Sequence, residues 1–264
     1  MNETELLFTD ILNYSRDKLY INLGVILPRD KRRVISEALK RRIKGEPIQY
    51  VLRKAQVMGW EFRVNKDVFI PRPETEILVE TALKIGHRLW VIGNRLKVLD
   101  IGTGCGNIAI SIAKFLPHCK MFATDISPAA LEVAKFNARL NGVKVDFIQS
   151  DLFTSYELRV TSYDIIVSNP PYIPTAEIED LSLEVRYEPR IALDGGRDGL
   201  DFYRRIIMDS GRYLKSGGFL IMEIGFGQCP AIKNIFKASG NFQRIEVIKD
   251  YNNIDRVIVA QRKQ

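Results

Sequence analysis

Residues 97–260 constrain the fold most, because short apolar runs there alternate with helical patterns. The first run, over 97–101, passes directly into Gly102-Thr103-Gly104-Cys105-Gly106-Asn107. Period and composition predict further strands over 120–124, 145–149, 163–168, 218–223, 242–248 and 256–260. Helices are predicted over 107–115, 128–141, about 200–214 and 230–239, with Pro128 suited to the first turn of its helix. Parallel strands must be joined by crossovers long enough to hold a helix. The alternation therefore calls for a doubly wound, Rossmann-like α/β fold: a mostly parallel seven-stranded sheet with helices on both faces. The last two strands have no helix between them and should form an antiparallel edge.

The N-terminal part reads differently. Residues 4–20 and 31–43 have the spacing of amphipathic helices, joined through Gly24 and Pro28, and Gly45-Glu46-Pro47 ends the second. Over 51–70, β-type residues interrupted by Gly59 and Asn65-Lys66-Asp67 suggest a hairpin. Pro71-Arg72-Pro73 breaks the chain before a helix over 74–90. The expected division is a small helical domain with a hairpin linker, 1–73, followed by a second domain, 74–264.

A chain of 264 residues with 46% hydrophobic content can bury a core without covalent staples. No apolar run approaches the roughly 18 residues of a membrane helix. The acidic start, Met1-Asn2-Glu3-Thr4-Glu5, has neither a basic secretory n-region nor transit-peptide character, so a cytoplasmic location is expected. Cys105, Cys119 and Cys229 are too few and too scattered for a disulfide framework or a zinc site, and no metal is expected. His87 and His118 lack ligand or triad spacing, which removes most histidine-based chemistry. The net charge is +7, and residues 29–44 hold eight Lys/Arg against Asp30 and Glu37. That run is either a solvated helix face or a docking surface for an anionic partner.

Four motifs carry candidate chemistry. Glycines at a strand-to-helix turn let a ligand approach the backbone closely at the end of the strand. Gly106 falls one residue early for the dinucleotide fingerprint, with Asn107 in the expected slot, which suits a nucleoside without phosphates. Asp125 ends the second strand, where a carboxylate accepts from both ribose hydroxyls; capping the Pro128 helix is its alternative role, one that Ser127 also fits. Asp151 follows the third strand in Ser150-Asp151-Leu152-Phe153, placed for an adenine amino group with Leu152 against the ring, or simply for helix-start chemistry. Ser168-Asn169-Pro170-Pro171-Tyr172 follows the fourth strand. Its prolines fix the backbone and remove two donors, Asn169 offers an amide acceptor, and Tyr172 offers a flat face. Together they form a pocket for a planar NH₂ group, with the Asn169 side-chain oxygen and the Pro170 carbonyl each accepting one N–H.

This combination resembles the class I S-adenosylmethionine-dependent methyltransferases that act on planar nitrogen. In particular it resembles the family that methylates the glutamine N5 of class-1 peptide chain release factors (the PrmC/HemK family). Residues 45–50 (GEPIQY), 69–76 (FIPRPETE), 184–200 (EVRYEPRIALDGGRDGL), 222–225 (MEIG) and 255–257 (DRV) extend the resemblance over nearly the whole chain. It implies S-adenosylmethionine over Gly102, Thr103, Gly104, Cys105 and Gly106, with the ribose on Asp125 and the adenine near Asp151 and Leu152. Phe69 and the Pro71–Glu76 linker would close over the methionine end. The substrate would be the glutamine of a Gly-Gly-Gln tip, entering the pocket of Asn169, Pro170, Pro171 and Tyr172. The release factor body would be gripped by the N-terminal domain of a monomer. Cys105 stands where the family usually has Ser or Thr, so oxidant sensitivity is expected of a thiol there. Leu152 stands where an aromatic is common, weakening adenine stacking. An adenine-N6 nucleic-acid methyltransferase shares the Asn-Pro-Pro-Tyr motif and is the alternative. A non-catalytic RNA-binding protein that retains the fold is a third reading, disfavoured by the intact motif.

Overall fold

The computed structural model describes residues 2–91, 96–159 and 161–264. The first helix, α1 (Glu3–Leu12), opens on a reciprocal cap: Asn2 accepts from the Glu5 N–H, and Glu5 accepts from the Asn2 N–H. The single helix expected over 4–20 is in fact two. Asn13 turns left-handed at φ 54° and ends α1, and Ser15 then caps α2 (Arg16–Ile21). Asn tolerates that backbone region and Ser competes for backbone donors, so local chemistry overrides the amphipathic period. The next two helices are α3 (Arg29–Ile43) and α4 (Ile48–Leu52). Leu7, Ile35, Ala38, Ile48 and Val51 gather these helices on one small core.

The hairpin is shorter than expected, with β1 (Lys54–Val57) and β2 (Trp60–Arg63) closing on Met58-Gly59, both at positive φ. Its Val57 and Phe62 pack against Ile110 and Ala138. Residues 64–70 form no strand, yet Val64, Val68 and Ile70 are buried with Tyr50, Cys105, Ala130 and Val133.

The remaining elements, in order, are α5 (Thr75–Val91), β3 (Lys97–Ile101), α6 (Asn107–Phe115), β4 (Lys120–Asp125), α7 (Pro128–Leu140) and β5 (Asp146–Gln149). Then come α8 (Tyr156–Arg159), β6 (Tyr163–Ser168), α9 (Leu183–Arg186), α10 (Asp201–Tyr213), β7 (Leu214–Glu223), α11 (Cys229–Ser239), β8 (Phe242–Lys249) and β9 (Asp255–Arg262). Seven strands form one sheet in the order β5-β4-β3-β6-β7-β9-β8. Neighbours from β5 to β7 pair in parallel, and β9 runs antiparallel between β7 and β8.

One apolar cluster, with Tyr203, Ile206 and Ile232, covers one face of the sheet, and another, with Leu78, Ile108 and Ile112, covers the other. The chain leaves β3 toward β4 and later returns to the opposite side of β3 with β6. The carboxyl ends of β3 and β6 therefore flank the switch point, where open α/β sheets take their ligands. Asn137 of α7 ties the hairpin to the glycine turn. Its amide donates to the carbonyls of Arg63 (2.9 Å) and Cys105 (2.8 Å) and accepts from the Arg63 N–H (2.7 Å).

Candidate active site

A cavity of about 420 Å³ lies at that switch point. Its wall includes Phe69, Gly102, Thr103, Gly104, Cys105, Asp125, Asp151, Leu152 and the run Asn169 to Tyr172, so the expected residues converge on one space. Gly106 is the exception. A Cβ there would lie 2.9 Å from Ile110 Cδ1 and 3.2 Å from Ala134 Cβ, so this glycine serves the packing of α6 on α7. Gly102 and Gly104 sit at φ 72° and 55° with open space where a side chain would project. The turn is anchored behind by the Thr124 carbonyl, which accepts from the N–H groups of Gly102 (2.9 Å) and Thr103 (2.8 Å).

Asp125 does not cap α7. Ser127 does, accepting from the Ala130 N–H at 3.2 Å. The two oxygens of Asp125 instead accept from the N–H of Gly104 (2.8 Å) and of Ser127 (2.9 Å). Burial raises its pKa above the usual carboxylate range. Each carboxylate oxygen keeps a further lone pair, so the group that fixes the loop can also accept from a ligand hydroxyl.

Asp151 pairs with Arg205 of α10 at 2.7 Å, and Leu152, at φ 51°, forms the adjacent wall. Ile126 and Phe202 complete this apolar end. The expectation of an oxidant-sensitive Cys105 is corrected. The residue is 1% exposed, and burial pushes its thiol up to about 12. Reactivity needs thiolate and access, and Cys105 has neither.

At the other end, Asn169 leaves β6 with its amide held from behind. Its Nδ2 donates to the Thr75 hydroxyl (3.3 Å), which donates in turn to Glu223 Oε2 (2.8 Å). With the NH₂ side engaged, Oδ1 remains as the acceptor. The following backbone is pinned as well: the Tyr172 carbonyl accepts from Gln228 Nε2 (2.9 Å), and Ile173 exchanges bonds with Leu193 and Gly195. Gly195 allows this approach, because a Cβ there would lie 2.8 Å from Tyr172 Cα and 2.9 Å from the Pro171 carbonyl oxygen. Burial pushes the Tyr172 hydroxyl up to about 12, so it stays neutral.

The Phe69 side of the cavity is held by Glu188. This carboxylate accepts from the Ile70 N–H (2.8 Å) and pairs with Arg72, whose guanidinium stacks 4.7 Å from the Phe69 ring. The resemblance placed Thr75 in the linker over the methionine end, whereas it is buried at the start of α5 behind Asn169. Glu188 and Glu223 stood in quoted segments without roles, and Phe202 and Arg205 were missed. A buried acid on a strand end, such as Glu223, or in a connection, such as Glu188, has no local sequence signal until the sheet order is known.

The basic run at 29–44 is partly consumed within the chain. Arg41 pairs with Glu46 (2.7 Å), Arg42 with Glu3 (2.8 Å) and Glu184 (2.6 Å), and Lys31 donates to the Ile11 carbonyl (2.8 Å). Arg29, Arg32 and Lys40 are exposed.

Residues 75–184 match the model of the methyltransferase small domain family, and residues 1–52 match that of the PrmC N-terminal domain. A methyltransferase from Pyrococcus furiosus superposes with a TM-score of 0.59 at 18% identity, covering 89% of this chain and 99% of that one. The hMettl16 catalytic domain, in complex with MAT2A 3'UTR hairpin 6, gives 0.59 at 15% identity over 88% of this chain and 81% of its own. The chain thus has the Rossmann-like fold that these methyltransferases share, and residues 75–184 carry the methyltransferase small domain.

Sequence relatives narrow this further. The release factor glutamine methyltransferase of Geobacter sulfurreducens is 42% identical over 97% of this chain and 87% of its own length, and that of Bacillus subtilis is 39% identical over 98% and 90%. The chain belongs to the release factor glutamine methyltransferase family.

Proposed function

We propose that this enzyme transfers a methyl group from S-adenosylmethionine to the N5 amide nitrogen of the glutamine in the Gly-Gly-Gln motif of class-1 release factors, supporting translation termination. The observation that carries the reading is Asn169 at the cavity wall, its NH₂ turned toward Thr75 and its oxygen left to accept.

The cavity fits the methyl donor in size and chemistry. Gly102 and Gly104 offer open backbone, Asp125 a carboxylate for ribose hydroxyls, Asp151 and Leu152 an adenine wall, and Phe69 with Arg72 the cover for the methionine end. When bound, S-adenosylmethionine supplies a methyl group on a cationic sulfur. The chain's own task is to present the acceptor. Asn169 Oδ1 and the Pro170 carbonyl take the two amide N–H groups, and Tyr172 flanks the plane. Amide nitrogen is a weak nucleophile because its lone pair is shared with the carbonyl. Holding both N–H groups in place directs that lone pair at the methyl and strengthens as positive charge develops on nitrogen. The methylated amide cation is a strong acid, so its proton passes to solvent without a basic side chain.

Residues 1–73 serve in this reading as the grip on the release factor body, with Arg29, Arg32 and Lys40 facing an acidic surface, and residues 74–264 carry out transfer. The enzyme works as a cytoplasmic monomer. The names of the relatives favour this reading over adenine-N6 methylation. Incubation with a class-1 release factor and S-adenosylmethionine, followed by fragmentation mass spectrometry, tests it. One methyl group on the Gly-Gly-Gln glutamine is expected. Methylated adenine in a nucleic-acid control, with the release factor unchanged, would make the alternative correct.

A further inference from the structure

Asn169 is useful only in one of its two amide orientations. With the side chain flipped, NH₂ would face the substrate amide, donor against donor, and the pocket would repel the group it must hold. Nothing in the Asn-Pro-Pro-Tyr run itself chooses between the two. The choice lies behind it, on two other elements.

Glu223, the last residue of β7, is 1% exposed, and Thr75, the first residue of α5, is also 1% exposed. Glu223 Oε2 accepts from the Thr75 hydroxyl at 2.8 Å. An ionised carboxylate has no proton to give, so the hydroxyl must point its hydrogen at Glu223. Its lone pairs then face Asn169, which donates through Nδ2 at 3.3 Å. The polarity of each group dictates that of the next.

We infer that Glu223 and Thr75 form a positioning relay that locks the Asn169 amide with its oxygen toward the substrate, so that Thr75 and Glu223 contribute to turnover without touching substrate. The relay rests on the reading of Asn169 given above.

The groups around Glu223 act on its charge in both directions. The Thr75 hydroxyl, Arg256 of β9 and the Asn169 amide itself favour the charge, Glu74 before α5 opposes it, Tyr172 feels it, and the Tyr203 hydroxyl of α10 donates to the Glu223 backbone carbonyl at 2.9 Å. Burial nevertheless raises the Glu223 carboxyl to about 7. Charge is then present at pH 8 and mostly lost at pH 6. A neutral carboxyl can itself donate to Thr75, which frees the hydroxyl to point at Asn169 and allows the flip.

The test uses the full-length enzyme with a release factor substrate at pH 8. Thr75→Val keeps the shape and removes the hydroxyl, and Thr75→Ser restores it. The expected result is a kcat about tenfold lower in Thr75→Val, as for one lost hydrogen bond. The S-adenosylmethionine Kd should not change, and kcat in Thr75→Ser should stay within about twofold of the parent. Equal losses in both variants, a loss that tracks cofactor binding, or no loss in Thr75→Val would overturn the relay.

Should Thr75→Val not fold, Glu223→Gln decides the matter: kcat falls, and the acid-side decline of kcat between pH 6 and 8 flattens. An unchanged kcat and pH profile in that variant would likewise sink the relay. Asn169→Ala is run in parallel. If it retains full activity, the reading of Asn169 itself fails, an outcome separate from failure of the relay.

Discussion

At the residue scale, two buried acids set a pH dependence of stability. Burial raises Glu223 from an ordinary 4.5 to about 7 and Asp100 from 3.8 to about 7. The folded state therefore binds protons more tightly than the unfolded state across that window, and stability falls as pH rises through it. Glu223→Gln removes one such carboxylate. It should stabilise the protein at pH 8 and flatten the decline between about pH 4.5 and 7, measured by urea unfolding. An unaltered pH profile would show that Glu223 does not titrate in this range. Gained stability together with lost turnover would separate function from folding at this residue. Asp125→Asn retains one acceptor oxygen but no charge. Its S-adenosylmethionine Kd should rise roughly tenfold to a hundredfold by calorimetry. An unchanged Kd would remove Asp125 from the ribose site.

At the scale of elements, strand positions were legible because apolar β-type runs bounded by Gly, Pro and Asn have few alternatives. The strand at 97–101, the helix at 107–115 and the strand at 163–168 fall where the pattern places them. The break at Asn13 was not legible, since an amphipathic period continues across it and only the cap chemistry decides. Much of the candidate site could be read as well, because Asp125, Asn169 and the glycine turn stand at strand ends, where a doubly wound sheet brings residues together. Thr75, Glu188 and Arg205 could not, because only the packing of α5, α10 and residues 187–196 onto the strand ends gives them partners.

Gly195 belongs to this packing. Gly195→Ala sets a Cβ against two backbone atoms of the Pro171–Tyr172 segment. Backbone cannot yield as a side-chain tip can, so the acceptor pocket must shift. A kcat loss of about a hundredfold is expected, since a shift near 1 Å misplaces the reacting groups, with cofactor Kd held within about threefold. Normal turnover in this variant would mean that the pocket tolerates displacement.

At the scale of the whole molecule, charge is divided between holding the fold and facing solvent. Arg41, Arg42 and Lys31 are engaged within the chain, and reversing Arg41 or Arg42 would disturb structure before it reported on partners. Arg29, Arg32 and Lys40 are the informative positions. Replacing all three with Glu should raise KM for the release factor severalfold, with kcat and cofactor Kd retained. The parent enzyme should show a matching rise in KM at high salt. An unchanged KM would leave these cations as a solvated face.

The most direct measurement is intact-mass spectrometry of a class-1 release factor after single-turnover reaction with the parent enzyme and with Asn169→Ala, with cofactor binding measured on both. The expected result is one added methyl group with the parent, at least a hundredfold slower transfer with Asn169→Ala, and equal cofactor Kd, as for loss of one preorganised hydrogen-bond partner in the transition state. Methylation by Asn169→Ala at the parent rate would contradict the assignment of the acceptor pocket.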